Sequence, residues 1–86
     1  MVEGVVVREG GKKYRALKRL LEVASEKPGC VFSWTDLVRI IVTTGVSYPY
    51  SNKIILELIY LGVLNKVGDR YTVDVEKLKE IVESVE

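Results

Sequence analysis

Four side chains in the stretch "GVSYPYSNKIILELIYLGVL" (residues 45–64) carry groups suited to the edges and backbone of a nucleic acid: Tyr48, Tyr50, Asn52 and Lys53. The Asn52 amide offers a donor and an acceptor side by side, matching what adenine presents in the major groove. The Lys53 ammonium suits guanine or a phosphate. The tyrosines can meet phosphates through their hydroxyls or thymine methyls through their rings. Ser47 precedes them as a helix N-cap, where it and the first backbone amides can hold a phosphate. Lys66 and Arg70 flank a tight turn further on, and Lys12, Lys13 and Arg15 open an earlier basic segment able to touch flanking phosphates.

Catalytic chemistry finds no such set. The 86 residues contain no His, so the usual general base is missing and no Ser/His or Cys/His nucleophile can be assembled. Cys30 is the single cysteine; it can form no internal disulfide, and its setting "PGCVFSW" is apolar. The pair Gly10–Gly11 is not followed by a phosphate-binding pattern. We therefore expect no enzyme, no catalytic residues, no metal site, no cofactor and no small-molecule ligand.

The length suits one small domain, and 48% apolar with 29% charged residues suits a folded chain rather than a disordered one. No apolar run approaches the ~20 residues needed to cross a bilayer, and the start "MVEGVVVREGG" lacks a signal-peptide pattern, so an intracellular, cytoplasmic protein is expected. Gln is absent and Lys, Glu, Val and Ile are plentiful, a drift seen in thermophile proteins. Net charge is only +1, yet it is unevenly spread. Arg8, Lys12, Lys13, Arg15, Lys18 and Arg19 gather early, whereas Asp74, Glu76, Glu80, Glu83 and Glu86 gather late. Such asymmetry suits an oriented surface or, equally, solvated helix faces.

These residues need elements to hold them. The Val-rich start reads as a strand within 1–9, ended by Gly10–Gly11. Tyr14, Leu17, Leu20, Leu21 and Ala24 recur at helical spacing, which predicts a helix over 12–27 that Pro28–Gly29 stops. Ser33 with Asp36 forms a capping box opening a helix over 33–44, and Gly45 suits its end. Ser47, with Pro49 in the first turn, opens a helix over 47–61 that Gly62 ends. Two short strands follow within 63–74, turned by Gly68–Asp69, with Val63 and Val67 expected to alternate inward. Asp74 caps a last helix over 75–85, whose Val75, Leu78, Ile81, Val82 and Val85 share one face.

A helix–turn–helix followed by a hairpin is the layout of a winged helix. The stretch quoted above resembles the recognition half of winged-helix transcription regulators, in particular small archaeal ones. The positions that carry the likeness are Gly45, Val46 and Ser47, then Leu58 four places before Gly62, then Val63 and Leu64; the resemblance covers roughly 12–74. Ser51 departs from it, because the family has an aliphatic residue there. The resemblance implies an α+β, mainly α fold: three core helices, a two-stranded wing, an N-terminal strand and a C-terminal helix. It also implies double-stranded DNA as partner, with the helix over 47–61 in the major groove and the wing on the backbone. A homodimer through the N-terminal strand, the C-terminal helix or both is expected, because one chain offers about three to five phosphate contacts and binds weakly alone.

Each site residue also has an ordinary structural role open to it. Tyr48 and Tyr50 can cover the core beside Trp34, and the lysines and arginines can simply be solvated. Ile54, Leu56, Ile59 and Tyr60 stand where the family is usually polar, so the chain itself or a partner should cover them. A winged-helix protein–protein module, or an RNA- or ribosome-associated one, is therefore the alternative.

Overall fold

The computed structural model describes residues 11–27, 29 and 31–84; the strand expected within 1–9, Pro28, Cys30 and Val85 lie outside the described residues. The first helix, α1 (Lys12–Glu26), forms because Ala16, Leu17, Leu20 and Ala24 line one face, and all four are buried. The second, α2 (Trp34–Val42), starts at a complete capping box. The Asp36 N–H donates to Ser33 Oγ and the Ser33 N–H donates to the Asp36 carboxylate, each at 3.1 Å. Its inner face is Leu37, Val38 and Ile41.

The chain then turns through Gly45, whose φ of +99° few side chains would tolerate. Val46 drops into the core at 2% exposure, and Ser47 caps α3 (Tyr48–Tyr60). This helix buries Ser51, Ile54, Ile55 and Leu58. Ser51 fills a place that would suit an aliphatic side chain, and its hydroxyl is satisfied locally by donating to the Tyr48 carbonyl at 2.6 Å. At the far end the Gly62 N–H donates to the Ile59 carbonyl and the Val63 N–H to the Leu58 carbonyl, with Gly62 at φ +80°. This closure of the last carbonyls is a Schellman motif, and it reverses the chain into the hairpin.

The hairpin pairs β1 (Leu64–Val67) with β2 (Arg70–Val73), Leu64 opposite Val73 and Val67 opposite Arg70. Its base is anchored twice. The Asp74 N–H donates to the Val63 carbonyl at 2.7 Å, and Phe32 exchanges two backbone bonds of 2.8 Å with Tyr71. The link between α1 and α2 thus lies along the hairpin's outer strand. Asp74 then caps α4 (Val75–Glu83), which packs against α1. The result is an α+β, mainly helical fold of four helices and one two-stranded antiparallel sheet among the described residues.

One expectation changes. Val67 is not an inward residue: it is 56% exposed, because Leu64 and its partner Val73 face the core and the two-residue alternation puts Val67 on the opposite face of the strand. On α4, Leu78, Ile81 and Val82 are buried within the chain's own core.

Two outcomes follow for urea unfolding. Leu58→Ala, at a buried site, costs about 2–5 kcal/mol, whereas Leu56→Ala, two residues away and outward, changes stability by less than about 0.5 kcal/mol. The Asp36 carboxyl is held below its ordinary value of 3.8, chiefly by the Ser33 backbone N–H and then by the Ser33 side chain, with Arg70 and Arg39 adding to it against the opposing effect of burial. A carboxyl depressed in the folded state stabilises fully above pH 3.8, and that stabilisation is lost as pH falls through the folded value. Stability measured against pH should therefore fall in that acid range, and less steeply in Asp36→Asn, which cannot ionise.

Candidate nucleic-acid interface

Because α3 buries Ser51, Ile54, Ile55 and Leu58, the opposite side of the same helix faces solvent. That outward row is Pro49, Lys53, Leu56 and Tyr60, all exposed. Tyr60 is 86% exposed and Leu56 57%, while Ile54 is buried and Ile59 packs partly against the core. The four apolar residues expected to need a cover thus divide by helix phase: two are covered by the chain itself and two are exposed.

The polar residues flanking this row are already engaged. Asn52 accepts a hydrogen bond from the Trp34 indole N–H at 3.1 Å. Because an indole nitrogen only donates, the partner must be the amide oxygen of Asn52. Its NH₂ has no partner among the described residues, but the paired donor and acceptor suited to adenine are no longer both free. Trp34 is itself seated edge-on to Tyr71, with ring centroids 6.1 Å apart. On the other flank Glu57 is ion-paired with Lys13. Lys13 is thereby a clamp between α1 and α3, with a side chain only 15% exposed. Lys12 and Arg15, its neighbours on α1, are exposed.

The N-terminus of α3 offers less to a phosphate than its sequence promised. Ser47 Oγ accepts from the Tyr50 N–H at 3.4 Å, the Ser51 N–H donates to the Ser47 carbonyl, and Pro49 has no N–H. Of the first-turn amides, that of Tyr48 alone has no partner among the described residues. Tyr48 and Tyr50 do not cover the core; they are 62% and 39% exposed and stand to either side of the first turn. On the hairpin, Lys66 and Arg70 are exposed close to the Gly68–Asp69 turn. Neither Lys53 nor Lys66 forms an ion pair among the described residues. Arg70 shares its field with Asp36.

The structure therefore brings Lys53 and the exposed tyrosines onto one helix with Lys66 and Arg70 on the hairpin that follows it, and diverts Asn52 and Lys13 to internal contacts. The sequence also puts Leu56 a turn beyond Lys53 on the groove side, but reading of the site passed over Pro49 and Tyr60, whose spacing from Lys53, four before and seven after, places them on the same face. Among the described residues no group of three or more His, Cys, Asp or Glu could hold a metal ion, and no helix is long and apolar enough to cross a membrane. Comparisons of the chain with known protein families, curated proteins and solved structures gave no match.

The Trp34–Asn52 bond can be read directly, because the chain has a single tryptophan and hence one indole N–H resonance. Asn52→Ala should shift that resonance upfield, speed its solvent exchange and lower stability by about 0.5–1.5 kcal/mol. Asn52→Asp, which keeps an acceptor oxygen, should retain the protected signal.

Proposed function

We propose that this chain is a winged-helix DNA-binding protein, a small transcription regulator that lays α3 in the major groove and its hairpin on the DNA backbone. The observation that carries the reading is the open outer side of α3, with Lys53, in no ion pair among the described residues, at its centre, followed directly by a hairpin whose exposed end carries Lys66 and Arg70. The element order supports it: helix, extended link bonded to the hairpin, helix, turn, helix, hairpin. Helix–turn–helix proteins place the N-terminal part of the second helix of that motif against base edges. In this reading Lys53 meets a base or phosphate, while Tyr48, Tyr50 and the Ser47 end of α3 meet the backbone. Lys12 and Arg15 extend the contact, and Lys13 acts only by holding α1 to α3. The NH₂ of Asn52 adds a donor.

Few cations per chain make the affinity of one copy low, so a homodimer belongs to the proposal. Its proposed surface is the N-terminal segment, the C-terminal helix or both. A second reading, a protein-interaction module, is favoured by the exposure of Leu56 and Tyr60 on the same face.

Fluorescence anisotropy with a labelled random duplex separates the two. The DNA reading expects affinity to fall with salt, and the double variant Lys53→Ala/Arg70→Ala to bind more weakly, with a log–log salt slope reduced by about 2. Absence of binding at low salt, with the fold intact by circular dichroism, would overturn it in favour of the protein module.

A further inference from the structure

The outer side of α3 is poor in free polar groups, and that constrains what it can read. Residues spaced like 49, 52, 53 and 56 lie on one side of a helix and within reach of the same stretch of groove. At these positions the free groups are the Pro49 ring, the NH₂ of Asn52, the Lys53 ammonium and the Leu56 side chain. The Asn52 oxygen is held by Trp34, and the carboxylate on the other flank, Glu57, is held by Lys13. The tyrosine hydroxyls sit at the two ends of the helix. Apart from Lys53, the centre of the face is apolar.

The major groove carries one apolar group on its base edges, the C5 methyl of thymine. We infer that Leu56 is a specificity-determining residue that packs on a thymine methyl, with Lys53, one turn towards the N-terminus, on the neighbouring base pair. This inference rests on the DNA reading above and gives it a sequence preference: sites containing thymine in the contacted stretch, chosen by methyl contact rather than by a paired hydrogen bond to adenine. Leu56 suits this role because it is 57% exposed, so its side chain has surface to bury on DNA.

The test isolates the methyl. Three random duplex pools of one length are titrated by anisotropy with the full chain. The first carries dT and dC, the second dU and dC, and the third dU and 5-methyl-dC. Deoxyuridine keeps every hydrogen-bonding group of thymine, and 5-methylcytosine returns a methyl to the groove on the other base pair. The second pool should bind about fourfold more weakly than the first for each methyl contacted, and the third should regain part of the loss. Leu56→Ala should abolish these differences while keeping the salt-dependent binding set by Lys53, Lys66 and Arg70.

Equal affinity of wild type for the first two pools would overturn the inference and leave the DNA reading standing. A methyl preference that persists in Leu56→Ala would overturn the assignment to Leu56. No binding to any pool would remove the DNA reading, and the inference with it.

Discussion

A helix against a small core can bury only one side, and the structure depends on which side of α3 that is. Ser51, Ile54, Ile55 and Leu58 face inward, and with Val46 before them and Val63 and Leu64 after them they meet the inner faces of α1, α2 and α4. Once these positions are buried, the phase of the helix puts Pro49, Lys53, Leu56 and Tyr60 outward. The two ends of the helix preserve this setting. Ser47 and Pro49 define where it starts, and the Gly62 closure defines where the chain leaves for the hairpin.

The flanks of α3 illustrate how a small domain gives polar groups structural work. Trp34 brings an indole N–H to a half-buried place, where it needs an acceptor, and Asn52 supplies it. Glu57 would otherwise set a carboxylate beside the outward row. Its ion pair with Lys13 joins α1 to α3 and neutralises that charge. Both contacts stiffen the seat of α3 and also reduce the polar groups it presents. What remains is a narrow face with one cation and apolar neighbours, well held but sparing in hydrogen bonds.

The hairpin follows a different logic. Its base is bonded to the link between α1 and α2 through Phe32 and Tyr71, and Asp74 ends it while starting α4. Leu64, Val73 and Tyr71 turn one face of the hairpin to the core, and the alternation of side chains leaves Val67 on the other face, exposed beside its partner Arg70.

Local signals in the sequence were enough for the α+β, mainly helical class with four helices and one hairpin. Apolar residues three and four apart require amphipathic helices, Ser33 with Asp36 and Ser47 with Pro49 mark starts, and Gly62 and Gly68–Asp69 mark reversals. These are properties of neighbouring residues, so they are legible without the fold. The candidate site was legible only in part. Lys53, Lys66 and Arg70 could be named as exposed cations, but Asn52 and Lys13 look equally free in the sequence. Their partners, Trp34 and Glu57, lie 18 and 44 residues away (the latter being 57 − 13), and no local pattern relates them. The sequence alone determined that four helices and a hairpin form among the described residues, because that physics is local. Only tertiary packing decided which polar groups are consumed inside and which face is left open, because both depend on residues that meet across the core.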